Sequence, residues 1–256
     1  MYYVDDYAIV HKGLVLEKNE DNIYVNGLYL DKDNNGLSNY KTKRIPLNRN
    51  LYYAVFDGVG GLDKGELASY TSAILLNKYF HCKDVEEIIN IINNKILEIN
   101  EEKNITCGTT LTILKITKNR LIVYQVGDSP IYLYANNKLI KINEEHDGNL
   151  LDNYIGKSKN IIVNIKEYKL TKHDKILICS DGIRDSISDT DVEYLLSSTD
   201  DIKYISDKIL NYSLIDGGKD NISIISINIQ RRYKRVILVS IISIIIGVLI
   251  YTLFFK

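Results

Sequence analysis

Apolar and polar positions follow two rhythms along this chain of 256 residues. In "DVEEIINIINNKILEIN", Val85, Ile88, Ile89, Ile92, Ile96 and Ile99 fall on one face at helical spacing, which predicts an amphipathic helix. The preceding "DKGELASYTSAILLNKYF" predicts another, and two shorter helices are expected near Asp189–Ser198 and Asp201–Tyr212. Elsewhere short apolar runs predict strands: Tyr52–Phe56, Gly108–Ile116, Arg120–Val126, Ile131–Tyr134, Lys138–Ile142, Ile161–Leu170, Lys175–Cys179 and Asn221–Ile229. "NIYVNGLYL", Asn22–Leu30, reads as a hairpin around Asn26-Gly27, the favoured two-residue turn. The polar, Asn-rich residues 31–50 read as a loop. Strands come in runs and helices in pairs, an order that fits an α+β layered sandwich better than an alternating βαβ fold.

The C-terminus breaks both rhythms. "VILVSIISIIIGVLIYTLFF", Val236–Phe255, is 20 residues without a charge. As a helix it would measure about 30 Å, the thickness of a bilayer core. Four of the five residues in "RRYKR", residues 231–235, are basic, and only Lys256 follows the apolar run. The positive-inside rule then puts residues 1–230 in the cytoplasm, on a single-pass membrane anchor, with the basic cluster near anionic lipid. The expected organisation is a folded domain over 1–230, a basic juxtamembrane segment over 231–235 and a transmembrane helix over 236–255. The N-terminus, "MYYVDDYAIV", has neither the basic nor the apolar region of a signal peptide.

Composition adds exclusions. The apolar content of 45% and charged content of 25% are ordinary for a folded chain with a core. A net charge of −1 gives no sign of nucleic-acid binding. The cysteines, Cys82, Cys107 and Cys179, are odd in number and form no Cys-x-x-Cys pair, which argues against a disulfide framework and a zinc site. Cys179, after "KILI", reads as a small buried strand residue.

The candidate chemistry is in the carboxylates. Asp57 ends a strand in "VFDGVGG", Asp128 sits in a tight turn in "VYQVGDSPIYLY", and Asp181 ends a strand in "ILICSDGIRD". Asp220 precedes a strand in "DGGKDNISIISI", and Glu20 and Asp21 precede the first hairpin in "KNED". Any one Asp-Gly is an ordinary turn. Several acids at strand ends, each against an aliphatic run, would repel one another unless cations lay among them. Mg²⁺ and Mn²⁺ prefer such oxygen ligands and retain several waters. Glycines beside Asp57 would let the backbone approach bound ions.

In order and spacing, "KNEDNIY", "FDGVGGLDKGELAS", "CGTTLTILKI", "VYQVGDSPIYLY", "ILICSDGIRD" and "GGKDNISIISI" resemble the metal-dependent Ser/Thr protein phosphatases (type 2C), the bacterial branch in particular, over residues 9–229. The resemblance implies a four-layer α-β-β-α sandwich of two antiparallel sheets flanked by helices, with a binuclear Mn²⁺/Mg²⁺ site at one end. It implies that Asp57 bridges both ions, Gly58 offers its carbonyl to one, and Asp181 and Asp220 bind the other. Glu20 and Asp21 would hold metal-bound waters, and Asp128, with Asp181, a third and weaker ion. The expected nucleophile is water activated between the ions, acting on phosphoserine or phosphothreonine in a protein. The expected partners are a phosphorylated protein, a membrane Ser/Thr kinase and membrane lipid, with the catalytic domain monomeric.

The chain departs from the family pattern at three places. Leu16 stands where bacterial members usually carry a phosphate-binding Arg, Val59 stands where animal members have His, and the segment between "LIKINEEHD" and "NIIVNIKEYKL" is short. In an extended segment Leu16 and Lys18 would share a face, which makes Lys18 a substitute phosphate ligand. Two other readings stay open: a catalytically weak or inactive, membrane-anchored phosphoprotein-binding pseudophosphatase, and a metal-dependent hydrolase of a small phosphoester. No Gly-x4-Gly-Lys-Ser/Thr loop is present to support nucleotide use.

Overall fold

The computed structural model describes residues 2–142, 153–183 and 186–231. Among the described residues twelve strands form two six-stranded sheets, and every strand pair is antiparallel. One sheet has the order β4 (Gly36–Pro46), β1 (Tyr2–His11), β12 (Ile222–Arg231), β11 (Lys175–Cys179), β8 (Ile131–Ala135), β9 (Lys138–Lys141). The other runs β10 (Asn164–Lys169), β7 (Arg120–Val126), β6 (Leu111–Ile116), β5 (Leu51–Phe56), β2 (Asn22–Val25), β3 (Leu28–Tyr29).

Three hydrophobic layers hold four structural layers together. Val4, Ala8, Val10, Ile225, Ile227 and Ile229 of the first sheet face Ile23, Tyr53, Val55, Leu114 and Val123 of the second. Helices α1 (Gly65–Tyr79) and α2 (Val85–Lys103) cover the outer face of the second sheet, over Tyr52, Ala54, Phe56, Leu111 and Ile113. The periodic Val85, Ile88, Ile89, Ile92, Ile96 and Ile99 are all buried there, as the pattern predicts. Helices α3 (Asp189–Ser198) and α4 (Ile202–Ile215) cover the first sheet over Leu177, Cys179, Ile222 and Ile224. The α-β-β-α sandwich expected from the sequence is the one observed. Strand β12 explains its irregular pattern: both faces are covered, Ile222 and Ile224 by helices and Ile225, Ile227 and Ile229 by the other sheet.

Two strands depart from the sequence reading. Residues 31–50 are not a loop throughout, because β4 occupies Gly36–Pro46. It pairs only with β1 at the sheet edge, where polar residues are tolerated and protect against edge-to-edge association. Strand β1 itself lacks a readable alternation because Asp5 and Asp6 interrupt it. Asp6 points into the core, fully buried, and accepts hydrogen bonds from the Tyr53 hydroxyl at 2.9 Å and the Thr42 backbone at 3.2 Å. The hairpin turn is as expected, with Asn26 and Gly27 both at positive φ, 49° and 112°.

The apolar run 236–255 and residues 232–235 lie outside the described residues. Among the described residues no helix is long and apolar enough to cross a membrane. Arg231, assigned above to a juxtamembrane segment, is the last residue of β12 and pairs with Tyr2.

Candidate active site

The strand ends at one edge of the sandwich deliver the acids. Strand β5 ends at Phe56, and Asp57 follows it with its backbone fixed on both sides. The Thr110 amide and the Thr109 hydroxyl both donate to the Asp57 carbonyl at 2.8 Å, and the Asp57 amide donates to the Thr110 hydroxyl at 3.2 Å. Thr110 also shares a hydrogen bond of 2.7 Å with Ser129, which follows Asp128. The "CGTT" stretch therefore holds the carboxylate strand and the Asp128 turn in one register.

Asn221 ties the opposite wall together. Its side-chain carbonyl accepts from the Glu20 amide at 2.7 Å, and its amide group donates to the carbonyls of Lys12 at 2.8 Å and Lys18 at 3.0 Å. One buried side chain thus pins residues 12–20 beside Asp220.

A cavity of about 600 Å³ opens between these walls. Glu20, Asp57, Gly58, Asp128, Asp181 and Asp220 all line it, with Leu16, Lys18 and Val59. Asp21 lies beneath, buried, and accepts a hydrogen bond from Ser223 at 2.7 Å. Residues from five separate motifs converge on one volume.

The glycines behind Asp57 divide by role. A Cβ on Gly58 would sit 2.7 Å from the Glu20 carbonyl and 2.8 Å from the Gly65 backbone. Gly58 is therefore needed where β5 crosses the start of α1 and the Glu20 segment. Gly60 and Gly61 have nothing within 4 Å of a Cβ, although Gly61 has a φ of 81°. Only the last two leave open space toward the cavity.

Burial and mutual repulsion both disfavour the charged forms of these acids. Burial, then the charges of Asp21 and Asp181, push the Asp57 carboxyl well above the ordinary carboxylate range. Burial raises Asp21 to about 7, with Asp181 and Asp220 adding to the effect against the hydrogen bonds from Ser223 and Ser180. Burial, then Glu66, raises Glu20. Among the described residues no three His, Cys, Asp or Glu side chains already stand at ligand geometry, so the acids border a shared volume rather than a closed cage. This donor set, all oxygen with room for waters, suits Mg²⁺ or Mn²⁺ and not a soft metal.

Lys18 lines the cavity, but its ammonium lies 3.6 Å from Glu66, a buried acid in the first turn of α1. The segment bends at residues 14–15 and 17–18 and is not extended, so the same-face relation with Leu16 does not hold as a strand rule. Thr109, Thr110, Asn221, Ser69 and Glu66 went unassigned in the sequence. All five lie within the quoted motifs, but no local pattern marks them. Ser69 donates to the Glu20 carbonyl at 2.6 Å from a helix turn away. Residues 143–152, which include His146, Asp147 and the first part of the short segment before Asn160, lie outside the described residues.

The family model described as Protein phosphatase 2C matches residues 34–153, just under half of the chain. That stretch holds Asp57 and Asp128 and stops before Asp181 and Asp220. The serine/threonine phosphatase stp of Listeria welshimeri is 25% identical, over 84% of this chain and 91% of its own length. The solved catalytic domain of the serine/threonine protein phosphatase PstP, in complex with two manganese ions, superposes with a TM-score of 0.71. It is 22% identical and covers 90% of this chain and 100% of that one. The serine/threonine phosphatase Stp1 from Staphylococcus aureus gives a TM-score of 0.72 at 20% identity, over 88% of this chain and 95% of that one.

Proposed function

We propose that this chain is a protein serine/threonine phosphatase of the 2C type that hydrolyses phosphoserine and phosphothreonine with Mn²⁺ or Mg²⁺. The enzyme class follows from curated relatives named as serine/threonine phosphatases that match it along most of its length. The observation that carries the metal-dependent chemistry is the convergence of Glu20, Asp57, Asp128, Asp181 and Asp220 on one cavity. Asp57, the Gly58 carbonyl, Asp181 and Asp220 would hold two ions, and Asp128 with Asp181 a third. Such ions lower the pKa of a water and neutralise charge on the phosphoryl group. Glu20 at the wall and Asp21 beneath it would orient metal-bound water by accepting hydrogen bonds from it, while Thr109 and Thr110 fix the Asp57 backbone. The cysteines are unsuited to nucleophilic attack: Cys107 and Cys179 are buried, with burial raising both thiols, and Cys82 lies beyond the far end of α1. An intact acid set favours catalysis over the pseudophosphatase reading.

The domain over 1–230 is further proposed to be held at the cytoplasmic face by residues 236–255, with a membrane Ser/Thr kinase as the natural source of its substrates. The uncharged run and the basic 231–235 support this.

The full chain should hydrolyse p-nitrophenyl phosphate and phosphothreonine peptides with Mn²⁺ and stop with chelator. Asp57→Asn should remove most of the activity and weaken Mn²⁺ binding measured by calorimetry. Full turnover in chelator, or by the Asn variant, refutes the mechanism; turnover of small phosphoesters alone favours the small-substrate reading.

A further inference from the structure

The rim of the cavity carries a feature that hydrolysis of a bare phosphoester does not use. Leu14 and Val15 are each 64% exposed, and Leu16 is 37% exposed. Scattered exposed leucines are ordinary, but three consecutive apolar residues held in water are not.

The protein fixes this stripe in place. Asn221 anchors both ends of the loop through the carbonyls of Lys12 and Lys18. The Leu14 amide donates to the Gly218 carbonyl at 2.7 Å. Gly13, at φ 80°, lies so close to the Asp220 backbone that a Cβ there would come within 2.3 Å of its carbonyl oxygen. Gly218 leaves room for Leu14, whose Cγ would lie 2.9 Å from a Cβ at that position. The last turn of α4, just before the Gly217-Gly218 turn that meets Leu14, carries two more exposed residues on one helix face, Tyr212 at 42% and Ile215 at 83%. The hydrogen bonds orient apolar side chains outward instead of burying them.

Continuity with the cavity identifies the occupant. Leu16 belongs to the stripe and also lines the cavity beside Asp57 and Asp220. A polypeptide advances about 3.3–3.6 Å per residue. With a phosphorylated side chain among the acids, its immediate neighbours come within reach of Leu16 and the stripe it continues. We infer that Leu14, Val15 and Leu16 form a docking rim selecting protein substrates with apolar residues flanking the phosphorylated one, an assignment resting on the phosphatase reading of the adjoining cavity. The recognised chemistry is a phosphoserine or phosphothreonine segment with an aliphatic or aromatic neighbour.

The test is steady-state kinetics on the full chain in nanodiscs with saturating Mn²⁺. Its substrates are phosphothreonine peptides carrying Leu or Phe, Ser, or Asp beside the phosphoresidue, with p-nitrophenyl phosphate as the small reference. Leu-flanked peptides should exceed Ser-flanked ones by about tenfold or more in kcat/KM, the effect of burying one such side chain. The Leu14→Ser/Val15→Ser double variant should lose that preference and keep its rate on p-nitrophenyl phosphate. Equal kcat/KM across the peptides, or a preference that survives in the double variant, overturns the inference while leaving the phosphatase reading intact. A change in oligomeric state of the variant in sedimentation, without a change in selectivity, assigns the stripe to a second copy of the chain and also overturns it. Turnover of no phosphate substrate at all removes both readings together.

Discussion

Asp21 and Asp57 hold charges that the metal-free fold disfavours. Folding raises both above the ordinary carboxylate range, Asp21 to about 7. In the unfolded chain such groups lose their protons near pH ~4. Between about pH 4 and 7 the folded state therefore binds more protons than the unfolded state, and stability falls as pH rises. The contribution is complete below the unfolded value and gone above the folded one. In chelator the protein should melt lower at pH 8 than at pH 5, and added Mn²⁺ should raise the midpoint more at pH 8. Asp57→Asn should narrow the metal-free difference, read by scanning calorimetry; an unchanged or inverted difference contradicts the assignment. Position 16 offers a second residue-scale test. Leu16 lines the cavity and cannot donate to phosphate. A charge-assisted hydrogen bond is worth about 1.5–3 kcal/mol, or roughly ten- to a hundredfold in kcat/KM. Leu16→Arg should improve p-nitrophenyl phosphate turnover within that range while lowering preference for apolar-flanked peptides. Lys18→Ala should reduce turnover less, because the Lys18 ammonium is already engaged by Glu66.

At the scale of elements, the site depends on how β5, the Glu20 segment and the start of α1 cross. Gly58 and Gly65 make that crossing possible, since a Cβ on Gly65 would lie 2.6 Å from Glu20 Oε2. Gly58→Ala should cost about 1–3 kcal/mol through overpacking against backbone, along with most activity, because Glu20 and Asp57 must separate. Gly60→Ala meets nothing and should stay within about 0.5 kcal/mol. Urea unfolding of the two variants checks the contrast, and equal losses would mean that the crossing is loose. The motif "FDGVGG" announces a special backbone, but not which glycine is sterically required. That depends on Glu20, which lies more than thirty residues upstream.

The whole molecule sets the direction of the site. Strand β12 begins two residues after Asp220 at the cavity and ends at Arg231, with Tyr2 opposite. Ten residues of strand span about 33 Å. The chain therefore leaves the described domain at the end opposite the acids. On the proposed anchor, the cavity opens away from the bilayer, toward soluble or long-reaching substrates. Truncation after Gln230 removes only the last pairing of β12, so the released domain should stay folded, leave the membrane fraction and retain full turnover of soluble phosphopeptides. A domain that stays with the membrane after truncation, or external protease cleavage of the domain in intact cells, would reverse the anchor or its orientation.

Sequence alone determined the layered fold and the identities of the acids. Helical and strand periods survive wherever one face is buried, and each acid sits beside a turn former at the end of an aliphatic run. Thus α2 was readable from six isoleucines and valines, and Asp57, Asp181 and Asp220 from the strands they border. Tertiary structure alone decided β1 and β4: a buried Asp6 is tolerable only because Tyr53 and Thr42 reach it from other strands. It alone decided that Asn221 fastens the cavity wall and that Glu66 engages Lys18. It also decided that Leu14 and Val15 face water beside Leu16, which lines the cavity. Local pattern records which residues prefer burial, whereas hydrogen-bond partners and rims arise from residues far apart in the chain, whose meeting is fixed only when the sheets pack.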